Sequence, residues 1–215
     1  MTTQLKANDA GHDDRSYYKA DAILRCLNKK TGSNMELLLL ETSNAYNNAS
    51  TKKTNFDFHK GMYGSVAMLK TIADLYKYAS FECFKDLKLY FIHMHTKHIR
   101  LWSISSPSPG IFVMTREDKC GIPTAFNDDT HILLDYIRFG WSLKERIEKT
   151  LAKIDDLEEA HKVKMKEYRY KKLPKDRDLS CLVNPAIIKI TERVHACYFV
   201  NDGPDSSPLI PFLFS

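Results

Sequence analysis

Residues 19–64, KADAILRCLNKKTGSNMELLLLETSNAYNNASTKKTNFDFHKGMYG, contain the pattern that decides the fold of this chain. Two short apolar runs flank the turn NKKTGSN, which predicts an antiparallel hairpin. If the turn centres near Thr31, the numbers of paired residues sum to about 62, and Asp21 lies opposite Glu41 at the open end of the hairpin. Cross-strand Cβ atoms are roughly 4.5–5.5 Å apart, so the two carboxylates can share one divalent cation.

Three polar side chains follow Glu41 and extend this candidate site. Ser43 faces the same way as Glu41, because side chains alternate along a strand. Lys53 falls in the stretch 44–55, which is polar, lacks periodicity and predicts a mobile loop. Lys60 lies off the apolar stripe of a helix predicted over about 56–79 with Asn55 as N-cap, and it can bend back towards the two acids. Asp57 is interpreted as a first-turn residue that stabilises the helix dipole.

The remaining elements predict a mixed α/β (α+β) fold with a central sheet of about five strands flanked by helices. Strands are expected near residues 22–28, 35–40, 87–95, 99–105 and 111–115, and a long C-terminal helix near 128–170. Trp102 and Trp141 are assigned to the core. The expected organisation is a disordered tail over 1–15, a core domain over 16–145, a charged extended helix and basic segment over 146–175, and a C-terminal tail over 176–215.

Composition limits the class of protein. The chain has 215 residues, of which 43% are hydrophobic, so it can bury one substantial core. It contains no run of eighteen apolar residues, and its polar N-terminus is typical of neither a signal nor a transit peptide. The five scattered cysteines form no CxxC pair, which indicates reduced thiols in a cytoplasmic or nuclear protein and no zinc site.

Positive charge is concentrated in residues 162–177. This segment has eight basic and two acidic residues, 8 − 2 = +6, whereas the whole chain has a net charge of +5. A solvated helix end, a nucleic-acid contact and a nuclear-import signal all fit this pattern. The charged helix before it, 143–170, has a narrow apolar seam that suits a projecting helix, a homodimer or a protein partner. The candidate nucleic-acid contacts are Lys162, Lys164, Lys166, Arg169, Lys171, Lys172, Lys175 and Arg177.

Three histidines occur close together in HMHTKH. His93 and His95 share a strand face and His98 follows the turn, so a metal site is sterically feasible. The alternation of LKLYFIHMH, however, puts Leu89 and Phe91 on that same face, which favours histidines at the edge of the core.

The order of these elements and acids resembles the core of the PD-(D/E)XK nuclease superfamily. ELLLLETSNAY followed by FDFHKGMYGSVAMLKTIADLYKYA is also similar to an uncharacterised group of fungal proteins that are remote relatives of that superfamily, over about residues 17–145. The resemblance implies a restriction-endonuclease-like fold. It also implies that Asp21 and Glu41 bind Mg²⁺.

The resemblance departs from the superfamily pattern at the catalytic lysine. Ser43 stands where the motif has lysine, and Ala20 where it has proline. Some relatives carry the lysine on the following helix, so Lys60 is the natural replacement and Lys53 the second choice. Two functions stay open: a Mg²⁺-dependent nuclease or nuclease-like protein that processes DNA or RNA, and a catalytically degenerate module that binds nucleic acid or protein.

The basic segment leads to a test of nucleic-acid binding. Replacing Lys171, Lys172 and Lys175 with Ala should weaken binding and flatten its salt dependence, by about 0.7–0.9 in log–log slope for each phosphate that is no longer neutralised. Filter binding or fluorescence anisotropy across a salt series measures both quantities. Unchanged binding with altered nuclear accumulation would favour the import-signal interpretation.

Overall fold

One mixed sheet forms the centre of the protein, with helices on both faces. The computed structural model describes residues 4, 19–27, 32, 34–44, 50–124, 130–171, 178–188, 190 and 212–213. The strands, in sheet order, are β1 (Ala22–Leu27), β2 (Asn34–Ser43), β3 (Leu89–His95), β4 (His98–Ser108), β5 (Ile111–Gly121) and the two-residue β6 (Phe212–Leu213). The helices are α1 (Thr51–Leu75), α2 (Phe81–Phe84), α3 (Thr130–Lys171) and α4 (Leu179–Leu182). The predicted class, a sheet of about five main strands flanked by helices with a long C-terminal helix, is confirmed.

The β1–β2 hairpin has the predicted register at its open end. Ala22 pairs with Leu40 and Leu24 with Leu38, so paired numbers sum to 62, and an irregularity after Leu24 changes the register towards the turn. The Asp21 backbone N–H donates to the Leu40 carbonyl at 3.1 Å, which continues the pairing to the end of the hairpin. Asp21 is therefore at the level of Glu41, as expected.

Strands β2 and β3 are parallel, and α1 connects them. All other strand pairs among the described residues are antiparallel. Parallel neighbours require a crossover connection, usually a helix, which is the role of α1. In this register Glu41 lies beside His93 and Ser43 beside His95. The carboxyl ends of both strands therefore meet at one edge, under the N-terminal half of α1.

Both faces of β2 and β3 are buried, which fits the nearly continuous apolar run MELLLL of β2. The face under α1 contains Leu37, Leu39, Leu89, Phe91 and Trp102. The face under α3 contains Leu38, Tyr90, Ile92 and Leu101, with Phe139 from the helix.

The carboxylate of Glu117, at a bulge in β5, links α3 to the sheet. The register between β4 and β5 shifts at Glu117, and such bulges re-aim a side chain. Glu117 accepts hydrogen bonds from Lys88 (2.7 Å), Ser103 (2.7 Å) and Arg146 of α3 (2.6 Å). Burial alone would raise the pKa of Glu117, but these donors and the charges of Lys88 and Arg146 hold it below its ordinary value.

Helix α1 begins earlier than predicted. It starts at Thr51 with Ser50 as N-cap, so the predicted loop 44–55 is helical in its last five residues, and it ends at Leu75 instead of near Ala79. Thr54 and Asn55 are buried, and packing of these side chains outweighs their weak helix propensity. The assignment of Asp57 to the first helical turn was therefore wrong.

One of the two tryptophan assignments was also wrong. Trp102 is fully buried as expected, whereas Trp141 is 62% exposed. Phe139 faces the sheet. Trp141 is two residues farther along the helix, which corresponds to a rotation of about 200°, so its side chain points away from the sheet. Farther along α3, Ile154 and Leu157 are buried in the α1-side cluster.

Most of the two predicted tails lies outside the described residues. In the N-terminal one, Gln4 is described, and its side-chain amide donates to Asp74 of α1 at 2.8 Å. None of the described helices is both long and apolar enough to cross a membrane.

The close approach of α1 to the sheet leads to a stability test. A Cβ at Gly61 would lie 2.2 Å from the Phe91 ring, so Gly61→Ala should destabilise the protein by about 1–3 kcal/mol through overpacking. At Gly140 of α3 nothing lies within 4 Å of an added Cβ, so Gly140→Ala should stabilise by about 0.5–1 kcal/mol. Urea unfolding of both variants measures the difference. Equal effects at the two positions would contradict the close helix–sheet contact.

Candidate functional site

A buried ion pair joins the end of β2 to α1. Lys60 Nζ donates to Glu41 Oε2 at 2.8 Å. The Glu41 side chain is 2% exposed and that of Lys60 is 20% exposed. The prediction that Lys60 bends back to the acid is confirmed by this contact, because α1 crosses directly above the end of β2.

Asp21 lies on the solvent side of this pair. Its Oδ2 accepts a hydrogen bond from the Thr42 backbone N–H at 2.6 Å, across the open end of the hairpin. Burial is the main cause of the raised pKa of Glu41 and Asp57, and the negative charge of Asp21 adds to it. The two predicted metal ligands, Asp21 and Glu41, thus lie at the same end of the hairpin.

Ser43 links the sheet to α1 through buried hydrogen bonds. Its Oγ donates to Asp57 Oδ2 at 2.7 Å and lies 2.9 Å from His93 Nε2. Since the hydroxyl hydrogen goes to Asp57, the serine oxygen accepts from His93, and Nε2 carries a hydrogen. Ser43 and His93 are fully buried, so the Ser43 side chain lies inside the protein and connects β2, β3 and α1.

Lys53 belongs to the same cluster but contacts a different acid. Its Nζ lies 3.6 Å from Asp57 Oδ2, one helical turn away, and its side chain is 44% exposed. Lys60 therefore pairs with Glu41 and Lys53 with Asp57. Both candidate lysines are at the site, and Lys60 makes the shorter and more buried contact.

Two members of the site were not identified from the sequence. Asp57 was assigned to the helix dipole, and His93 to the core edge or a histidine metal site. One signal was available for Asp57: it stands four residues after Lys53 and three before Lys60, so one helix face carries all three. His93 and His95 are both buried on the α1 side of β3, with ring centroids 4.7 Å apart.

Burial controls the protonation of the acids. It raises the pKa of Glu41 from 4.5 to about 7; Lys60 opposes the shift, and Asp21 and Asp57 add to it. The pKa of Asp57 is also raised, first by burial, against the hydrogen bond from Ser43 and the charges of Lys53 and Lys60. Glu41 and Asp57 are each paired with one lysine, and Asp21 adds a third negative charge at the end of the hairpin.

The donor set fits a hard divalent cation bound with few protein ligands. Within the described part of the chain, no three His, Cys, Asp or Glu side chains are grouped to hold a metal ion. Mg²⁺ keeps several waters and is commonly held by one or two carboxylates. The carboxylates of Asp21 and Glu41 are oxygen donors of the kind that such an ion takes.

The basic segment is separate from this site. Lys162 bonds to Glu158, and Lys164 lies 3.5 Å from Glu167. His161 of α3 packs beside Tyr76, at the far end of α1 and about 24 Å along the helix from Lys60. Lys166 and Arg169 lie on the described helix and Lys171 ends it, whereas Lys172, Lys175 and Arg177 lie outside the described residues.

The raised pKa of Glu41 predicts how stability depends on pH. The pKa of Glu41 is higher in the folded protein than in the unfolded chain, so the folded protein binds this proton more tightly. The resulting contribution to the free energy of unfolding is complete below pH 4.5 and is lost as pH rises through about 7. Wild type should lose on the order of 3 kcal/mol across this window through Glu41, and Glu41→Gln should remove that loss. The pKa of Asp57 is also raised, and Asp57 is still present in Glu41→Gln. The variant should therefore lose only part of the dependence of unfolding free energy on pH.

Denaturant unfolding between pH 4 and 8 measures this effect. Glu36→Gln is the matched control, because Glu36 lies on the same strand and its partner Arg25 is 55% exposed. Identical pH profiles for wild type and Glu41→Gln would contradict the buried, proton-binding Glu41.

The site therefore combines the largely buried Lys60, the half-exposed Lys53, the exposed carboxylate of Asp21, and two buried carboxylates, Glu41 at the carboxyl end of β2 and Asp57 on α1 above it. This arrangement can bind a cation and an anionic group side by side. No family model matches the chain, and neither does any curated protein or solved structure.

Proposed function

We propose that this protein is a Mg²⁺-dependent phosphodiesterase of the nuclease-like type, acting on nucleic acid. Asp21 and Glu41 would hold the ion, and Lys60 would replace the lysine absent at Ser43. The observation that carries the proposal is the 2.8 Å contact between Lys60 and Glu41, because it puts an ammonium beside the proposed metal carboxylate.

The topology around the site supports the proposal. A hairpin, a crossover helix and a parallel third strand follow one another in the order that the resemblance to PD-(D/E)XK nucleases implies. In open α/β sheets ligands bind outside the carboxyl ends of the strands, which is where Glu41 and Ser43 lie.

Each residue of the site would have a separate role in the reaction. A bound Mg²⁺ would polarise a phosphate oxygen and lower the pKa of water. Lys60, with 20% of its side chain exposed, can offer its ammonium to the charge that develops on the phosphate. Asp57, held by Ser43 and Lys53, keeps α1 in position over the strand ends, and exposed Asp21 is the acid nearest to solvent.

One observation favours a second function, a non-catalytic module that retains the fold to bind nucleic acid or protein. Glu41 is 2% exposed and already paired with Lys60, and the lysine position of the motif holds a fully buried serine. A degenerate site of this kind would bind no divalent cation.

Cleavage assays decide between these functions. Labelled single- and double-stranded DNA and RNA are incubated with Mg²⁺ or Mn²⁺ and the full chain. Lys60→Met should lower kcat by about 10²-fold or more, as removal of a transition-state-stabilising group does. Because the variant leaves buried Glu41 without its ion-pair partner, its folding is checked by circular dichroism before activity is compared. Lys52→Met is the matched control, because Lys52 is an exposed lysine on the first turn of the same helix.

Metal titration separates loss of chemistry from loss of binding. Calorimetric titration of Mg²⁺ should show a site in wild type and in Glu36→Gln, and none in Glu41→Ala. Divalent-dependent cleavage that survives both Glu41→Ala and Lys60→Met would overturn the assignment. Absence of cleavage and of metal binding in wild type would establish the non-catalytic module.

A further inference from the structure

A cavity of about 580 Å³ lies between α3 and the start of β3. Sites for small ligands commonly have volumes of about 300–1,000 Å³, and a water molecule occupies about 30 Å³, so a small organic molecule fits here. The strand side is formed by Asp86, Lys88 and Tyr90, and the helix side by residues between 142 and 153. Tyr90 belongs to the core cluster under α3, so the cavity is on the other face of the sheet from the site under α1.

Two cations in the lining of the cavity share one carboxylate. Arg146 and Lys88 both donate to Glu117, at 2.6 and 2.7 Å, which gives 2 − 1 = +1 for the three groups. Lys149, also in the lining, is exposed and pairs with none of the described acids. Arg146, Lys88 and Lys149 therefore carry positive charge that the described part of the chain does not neutralise.

The other charged residues of the lining oppose each other. Lys153 is 3.6 Å from Asp156, on the same helix. The two acids of the lining, Asp86 and Glu145, are exposed, so water and salt screen their charge. An anion in the cavity is therefore expected beside Arg146, Lys88 and Lys149.

These three cations keep N–H groups for a ligand. A guanidinium has five N–H groups, and Arg146 uses one on Ser142 at 3.2 Å and one on Glu117. Lys88 uses one of its three on Glu117. A phosphate group suits the remaining donors, because it has a charge of about −1.5 to −2 at pH 7 and three acceptor oxygens.

A buried hydroxyl lies beside the same cations. Tyr90 is 3% exposed and lines the cavity. Burial raises the pKa of Tyr90, and Thr150, Arg146 and Lys88 oppose the shift, so the hydroxyl is protonated at neutral pH and close to both cations. Thr150 Oγ1 donates to the Lys88 carbonyl at 2.8 Å, which fixes α3 to the start of β3 at this point. The Tyr90 hydroxyl is thus held in place to form a hydrogen bond with an oxygen of the ligand.

We propose that this cavity binds a small phosphate ester with free hydroxyl groups, of the size of a sugar phosphate. Arg146, Lys88 and Lys149 bind the phosphate, and Tyr90 bonds to an oxygen of the organic part. Inorganic phosphate alone would fill only a small part of the 580 Å³. None of these residues belongs to the site under α1, so binding here does not depend on phosphodiester cleavage.

Isothermal titration calorimetry of the full chain with ribose 5-phosphate tests the proposal. The buffer contains EDTA, so that no divalent cation can hold the ligand at Asp21 and Glu41. Wild type should bind one equivalent, and Lys149→Met should weaken binding about 10-fold through loss of a charged donor. Lys144→Met is the matched control, because it removes the same charge from the same helix outside the lining, and it should leave the affinity unchanged.

Two further variants test the sign of the charge effect and the role of the hydroxyl. Glu145→Gln removes an exposed acid from the lining and should tighten binding about 2- to 5-fold. Tyr90→Phe should weaken binding of ribose 5-phosphate more than that of inorganic phosphate, and circular dichroism checks that its fold is retained. Absence of saturable binding by wild type at millimolar ligand, equal weakening in Lys149→Met and Lys144→Met, or equal affinity of wild type for inorganic phosphate and ribose 5-phosphate would each overturn the proposal.

Discussion

The close contact between α1 and β3 is the constraint on which the rest of the structure depends. At Gly61 the helix lies against the Phe91 ring, with no space for even a Cβ atom. Because Lys60 is the adjacent residue, this contact also brings its ammonium to Glu41. The same approach aligns Asp57, one turn earlier, with Ser43 on β2. The packing that closes the core therefore also assembles the site.

The site is polar where a stable core would be apolar. Burying an ion pair costs several kcal/mol per ion in desolvation, and a well-packed apolar pair would commonly be as stable or more so. Glu41 illustrates this cost, because burial raises its pKa to about 7 even though Lys60 is in contact with it. Buried acids with raised pKa beside lysines occur more often at functional sites than elsewhere in proteins. This is why the cluster, more than any single motif, supports a phosphodiesterase.

Helix α3 has two different environments along its length. Arg146 is tied to Glu117, Phe139 packs on the sheet, and Ile154 and Leu157 join the α1-side core. The side of its first turns that faces away from the sheet is exposed within the described part of the chain and is apolar nonetheless. The site lies under α1, on the other face of the sheet from Phe139.

The sequence alone determined the features that depend on local periodicity. The hairpin register that places Asp21 at the level of Glu41 follows from the position of the turn, and the two-sided burial of β2 follows from its continuous apolar run. Only the tertiary structure decided that Asp57 and His93 join Ser43, that α1 begins at Thr51 and that Trp141 is exposed. Periodicity reports which side of an element is apolar. The distance between elements, and the desolvation that shifts the pKa of Glu41, arise only when the helices pack on the sheet.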